Sequence, residues 1–200
     1  TLRLPGSKPF DLYYVDNLCV HTGHRNTGLA PKTIRTLYQY LREQVKEVKV
    51  CLFKREGATM GIMPLTVMEV TGYQVGALRS LAAGWASVSL SRPKTRTEFR
   101  DIWSTAIELA DESRVLIHMP IAAAVHALEN GGLYAYGART EDGDVAGVAV
   151  FREPACRYEG ARSIELAAVV HALPNAQAAS FMASACAEAA KDSDAELVVI

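Results

Sequence analysis

"LCVHTGHRNTGLAP", residues 18–31, opens as an apolar run, turns polar and basic, and closes on Ala30-Pro31 ahead of a regular helical pattern. A chain that passes from strand to helix presents unpaired backbone N–H groups at the helix mouth. Those groups, together with the helix dipole, attract phosphate. Gly28 lets the backbone come close to such a group without a Cβ in the way. Arg25 adds a charge-assisted contact, and Asn26 and Thr27 add polar ones. The spacing Arg25-x-x-Gly28-x-Ala30 therefore reads either as a pyrophosphate cradle or as a strand-to-helix loop that needed one glycine.

Upstream, residues 10–20, "FDLYYVDNLCV", have the Tyr, Val and Leu content of a strand. Downstream, Ile34, Leu37, Tyr38, Leu41 and Val45 recur at three- and four-residue spacing, so a helix is expected over 31–46. Pro31 suits its first turn, where a missing N–H costs nothing. "EVKVCLF", 47–53, alternates as a strand; "EGATMGIMP" is a loop and "LTVMEV", 65–70, a further strand. Residues 84–97, "GWASVSLSRPKTRT", are polar with Gly and Pro, and read as a connection between two halves, 1–83 and 84–200. In "EFRDIWSTAIELA" helical spacing turns Phe99, Ile102, Trp103, Ala106 and Ile107 inward. "PIAAAVHALENGG" is a short helix stopped by Gly131 and Gly132. Residues 133–153 form a hairpin around Asp142-Gly143. "RSIELAAVVHAL" is a strand, the Ala-rich stretch from Pro174 to Lys191 a helix, and "AELVVI" a strand. Each half thus runs strand, helix, strand: 10–20, 31–46, 47–53, and then 162–172, 174–191, 195–200. The expectation is a mixed α+β, α/β-like protein of two pseudo-repeated halves.

Composition bounds the function. Of 200 residues 50% are hydrophobic and 22% charged, enough to fill a core. A net charge of −1 argues against broad affinity for nucleic acid or anionic membrane, so any anion site is local. Cys19, Cys51, Cys156 and Cys186 form no CxxC pair and are expected as buried free thiols. There is no charged segment followed by an apolar leader, and runs such as "IAAAVHAL" are far short of the roughly 20 residues of a membrane span. A cytoplasmic protein is expected. The chain starts "TLRLPG" without Met, as a processed or partial product would. His21 follows the expected strand, as a structural histidine or a base; His24 lies in the glycine-flanked loop, within reach of a phosphate. His118, His126 and His171 are scattered, and no HExxH or paired Cys/His spacing points to a metal.

The Arg25–Ala30 spacing resembles the acyl-CoA pyrophosphate loop of the GNAT acyltransferase superfamily, Gln/Arg-x-x-Gly-x-Gly/Ala. Within it, "VDNLCVHTGHRNTGLAP", residues 15–31, is similar to the glycylpeptide N-tetradecanoyltransferase (N-myristoyltransferase) family, matching at Leu18, Cys19, Val20, His21, Arg25, Ala30 and Pro31. The resemblance spans roughly residues 8–200, and its specific part is 16–31. It implies the GNAT fold in two halves, the first incomplete, with acyl-CoA (myristoyl-CoA) bound by the first half and a protein or peptide N-terminus received with help from the second. It implies an oxyanion hole from the backbone amides of Asn17 and Leu18, and a cofactor-binding run of Cys19, Val20, Arg25, Asn26, Thr27, Gly28, Leu29 and Ala30. Three departures matter. Asn17 stands where the family has Phe. The loop after Arg25 is less basic. The family's terminal carboxylate base lies beyond the position of "AELVVI". Asp16 is the acid nearest in sequence to the proposed amides, and is the candidate to bind or deprotonate a substrate ammonium. The implied activity is transfer of a fatty acyl group from CoA to an N-terminal glycine. The departures keep a second reading, a catalytically inactive scaffold or binding protein, and the single-loop pattern allows a third, an acetyl-CoA-dependent N-acetyltransferase.

Overall fold

Apolar periodicity orders the elements of the computed structural model, which describes residues 1–15, 18–48, 50–53, 69–78, 89–110, 116–154, 158 and 160–200. In chain order the elements are β1 (Leu2–Arg3), β2 (Tyr13–Val15), a 3₁₀ turn (Thr22–His24), α1 (Leu29–Gln44), β3 (Cys51–Phe53), β4 (Gly72–Gln74), β5 (Ser89–Ser91) and α2 (Arg96–Leu109). There follow β6 (Leu116–Ile117), α3 (Ile121–Glu129), β7 (Tyr134–Arg139), β8 (Val145–Arg152), β9 (Ser163–His171), α4 (Asn175–Ser193) and β10 (Leu197–Val199). Two compact units result, one of Thr1–Val67 with Val115–Ile117, the other of Met68–Arg114 with His118–Ile200.

In the first unit β1 pairs antiparallel with β6, and β2 pairs parallel with β3, Tyr13 opposite Cys51 and Val15 opposite Phe53. A parallel pair needs a crossover, and α1 supplies it. Ala30, Ile34, Tyr38 and Leu41 are half-buried along one stripe of α1, while Leu37 and Val45 of the expected stripe are exposed.

The second unit holds a six-stranded sheet in the order β4-β10-β9-β8-β7-β5, with β10 parallel to β9 and the other pairs antiparallel. β4, which precedes the expected boundary at 83/84, lies in this sheet. Successive strand residues face opposite sides, and the core follows that alternation. Ala149 and Phe151 pack with Phe181, Ala185 and Cys186 of α4; Val148 and Val150 pack with Phe99, Ile102 and Trp103 of α2 and with Val125 of α3. Full burial of a side chain such as Phe99, Phe151 or Phe181 contributes about 1.5–3 kcal/mol each. Gly147 permits the close approach of α4, since a Cβ there would lie 3.1 Å from Phe181 Cε1. A hydrogen-bonded clamp ties three elements together: the Tyr136 hydroxyl of β7 donates to Asp192 Oδ2 at 2.6 Å, and Arg92, just past β5, reaches the same oxygen at 2.7 Å. Burial first, and then the bond to Asp192, push the Tyr136 phenol far above its ordinary range.

Both units thus contain a parallel strand–helix–strand, β2–α1–β3 and β9–α4–β10. Several local expectations need correction. Among the described residues, the strand expected over 10–20 is a strand at 13–15 and irregular at 18–20, and that expected over 47–53 is a strand at 51–53; residues 16, 17 and 49 lie outside the described residues. The polar connection 84–97 contains β5 and the start of α2, because Ser89–Ser91 pairs with Gly137–Arg139 and Thr95 caps the helix. Of the strand expected over 65–70, residues 65–68 lie outside the described residues and 69–70 are not strand. Cys186 is buried, but Cys51 is only half-buried and Cys19 is exposed; Cys156 lies outside the described residues. No helix among the described residues is long and apolar enough to cross a membrane.

Candidate functional site

The loop from Leu18 to Ala30 is built on short-range hydrogen bonds. His21 precedes the 3₁₀ turn, its Nδ1 accepting from the Gly23 N–H at 3.2 Å and its carbonyl accepting from the His24 N–H at 2.9 Å. The Arg25 N–H donates to the Thr22 carbonyl at 3.3 Å, and the Thr27 hydroxyl donates to the His24 carbonyl at 2.7 Å. Asn26 then takes a left-handed conformation (φ +63°), as does Gly28 (φ +77°), and α1 begins at Leu29. Asn tolerates that region and Gly does so without steric cost.

Gly28 is the helix N-cap and has no side chain with which to cap. The first bond of the helix runs from the Lys32 N–H to the Gly28 carbonyl at 3.2 Å. Pro31 falls in the first turn, where its missing N–H leaves no gap. Among the described residues the backbone N–H groups of Asn26, Thr27, Gly28, Leu29 and Ala30 make no hydrogen bond, so consecutive donors open at the positive end of a 16-residue helix. Among the described residues the cations Arg25 and Lys32 form no ion pair, and the first helical turn holds no acid. A cation at this end of a helix opposes the dipole; an anion seated on the donors offsets both. Lys32 was not legible as a site residue, because whether a cation is paired shows only once its neighbours are placed. From Leu29 an open groove of about 480 Å³ runs along α1, lined by Leu29, Lys32, Thr33, Thr36, Leu37 and Tyr40.

Of the residues singled out from sequence, Arg25, Asn26, Thr27, Gly28, Leu29 and Ala30 are brought into this one turn. Arg25 offers only its side chain, because its N–H is bonded, and Thr27 its N–H, because its hydroxyl proton is directed to His24. Leu18 and Cys19 are exposed and Val20 half-buried, in the segment leading into the turn, and the Leu18 N–H makes no hydrogen bond among the described residues. Asp16 and Asn17 lie outside the described residues. His24 is exposed, its ring 6.0 Å from that of His21. No group of three or more His, Cys, Asp or Glu side chains is gathered for a metal among the described residues.

No protein-family model and no curated protein matches this chain. Solved structures do. Saccharomyces cerevisiae N-myristoyltransferase with bound myristoyl-CoA superposes with a TM-score of 0.68 at 13% identity, over 99% of this chain and 55% of that one. The same yeast enzyme with myristoyl-CoA and inhibitors gives 0.67 at 14% identity, over 100% and 56%. A tandem GNAT protein from the clavulanic acid biosynthesis pathway gives 0.53 at 12% identity, over 95% and 66%. The chain therefore spans little more than half the length of the yeast enzyme. Likeness at this level of identity is likeness of fold, and it agrees with the mixed architecture and the paired strand–helix–strand units. The chain is a GNAT-fold protein with a structure like that of N-myristoyltransferase.

Proposed function

We propose that the protein is an acyl-CoA-dependent N-acyltransferase, and more narrowly that it moves a myristoyl group from CoA to the N-terminal glycine of a protein. The observation that carries the reading is the run of N–H donors at Asn26–Ala30 that, like the flanking cations Arg25 and Lys32, have no partner among the described residues, in a chain with this fold. The CoA pyrophosphate sits on those donors, with the first half, 1–83, holding acyl-CoA and the second, 84–200, helping to receive the peptide. The substrate ammonium gives up its proton to Asp16. The freed amine attacks the thioester carbonyl, the amides of Asn17 and Leu18 meet the negative charge on its oxygen, and collapse breaks the C–S bond to form the amide, the surplus proton on the nitrogen passing to the departing CoA thiolate. Cys19, Val20 and Leu29 line the path of the arm that joins pyrophosphate to thioester. The proposed setting is the cytoplasm, where acyl-CoA and new protein N-termini meet.

Calorimetric titration with myristoyl-CoA, acetyl-CoA and free CoA tests the reading. Binding of the myristoyl thioester well above that of acetyl-CoA, followed by turnover on a glycine peptide, is the expected result. Equal binding of acetyl-CoA would move the assignment to an N-acetyltransferase. Binding without turnover would make the protein a scaffold, and no binding of any of the three would refute the acyl-CoA reading.

A further inference from the structure

We propose that His21 is the positioning residue of the phosphate cradle, holding the preceding turn through Nδ1 as an acceptor with its proton on Nε2, and that it is not the base of the reaction. The inference rests on the acyl-CoA reading above only for the ligand it names. Its physical basis lies in the turn itself. The imidazole stands over Gly23: Nδ1 accepts the Gly23 N–H at 3.2 Å, and a Cβ built on Gly23 would lie 3.4 Å from Nδ1 and 3.7 Å from Cε1. The His21 carbonyl accepts the His24 N–H, and the Thr22 carbonyl accepts the Arg25 N–H.

The turn therefore divides the backbone donors into two sets. Those of Gly23, His24 and Arg25 are consumed within it, while those of Asn26 to Ala30 are left for a ligand. With the His21 side chain gone, the Gly23 N–H would open as well, and the turn leading to the left-handed bends at Asn26 and Gly28 would lose one of its three bonds. A neutral imidazole that accepts at Nδ1 carries its proton on Nε2. Neither nitrogen then has a lone pair free to take a substrate proton, which separates positioning from catalysis. The exposed His24 ring lies 6.0 Å from it, tilted 54°, and among the described residues the two rings share no hydrogen bond.

The test uses ¹⁵N-labelled protein and the variants His21→Ala and His21→Asn, since the Asn carbonyl keeps an acceptor but cannot act as a base. In the wild type the histidine ¹⁵N spectrum should show the Nε2–H tautomer for His21. His21→Ala should speed exchange of the Gly23 amide by about fivefold, the worth of a lost cap, and weaken CoA binding several-fold. His21→Asn should return both to within about twofold of wild type and keep turnover. An Nδ1–H tautomer, or Gly23 exchange unchanged in His21→Ala, overturns the proposal. So does a His21→Asn variant that binds CoA normally yet loses turnover, which would make His21 the base. Failure of the wild type to bind CoA would strike the acyl-CoA reading alone, because the tautomer and the Gly23 exchange still decide whether His21 holds the turn.

Discussion

Gly28 carries two demands at once, and they separate experimentally. Its φ of +77° makes any side chain strained, while no atom lies within 4 Å of where a Cβ would be. Gly28→Asn, whose residue type visits this region, should keep the fold but weaken CoA binding, because its side chain occupies the space of close approach. Gly28→Glu should abolish CoA binding while costing about 1–2 kcal/mol of stability, because the space is open and the loss is one of charge and approach. Calorimetry and thermal melting measured on both variants check this; undiminished affinity in Gly28→Glu would remove the cradle. Tyr136 gives a second residue-scale expectation. An unfolded tyrosine ionises near pH 10, and buried Tyr136 does so only above that. Below about pH 10 both states hold the proton and its contribution to stability is complete; as pH rises further the unfolded chain releases its proton first and stability falls. Tyr136→Phe should therefore be less stable at neutral pH and show a shallower loss above pH 10, read from denaturant midpoints across an alkaline series. At this scale the sequence reading found Arg25 to Ala30 because glycine, proline and basic residues act through fixed local geometry. It read His21 as a structural histidine or a base without naming the amide it accepts, and it passed over Lys32, since hydrogen-bond partners and an unpaired charge are visible only once their neighbours are placed.

Elements that bury a full stripe or face are legible, and short ones are legible only in part. Phe99, Ile102 and Trp103 mark α2, and the Thr95–Glu98 capping box starts it two residues before the apolar pattern does. The hairpin of β7 and β8 follows from two apolar runs around Asp142-Gly143, where Gly143 takes φ +92°. By contrast β2 and β3 were read as longer strands than their three residues each, β4 and β5 have too few residues to show a period, and Ser89–Ser91 looks like a linker until β7 pairs with it. The close packing of α4 on the sheet is equally silent in sequence, because it depends on what stands opposite Gly147. A Cβ there would be 3.1 Å from Phe181 Cε1 and 3.2 Å from His171 Cβ. Gly147→Ala should cost about 1–3 kcal/mol in chemical denaturation through overpacking, despite adding only one methyl group.

Across the whole molecule the core is divided unequally. Among the described residues Leu2 is the buried apolar side chain of the first unit, while the others, from Leu78 to Val199, belong to the second. α1 has no fully buried residue, whereas α4 has eight. Amide exchange should accordingly be much faster over Ile34–Leu41 than over Phe181–Ala190, and CoA should slow the former selectively; equal protection of the two helices would contradict the division. The repeated strand–helix–strand was legible because each copy rests on one long helix between apolar runs. The proposed catalytic residues came only through resemblance, since backbone amides proposed to meet an oxyanion leave no side-chain pattern. One further feature bears on how this chain tolerates change. In the β8–β9 ladder Val150 faces Ala168 and Phe151 faces Leu166, so Ala167 has no partner. β9 holds one residue more than its neighbour requires. Shortening the Ala167–Ala168 pair to a single alanine would leave every other partner opposite the residue it faces now, and the protein should still fold. A single deletion within β8 at Val148 would instead turn the residues beyond it to the wrong side. The sheet has slack in length at this one point of the β8–β9 ladder, and natural variants that differ there by one residue would be silent.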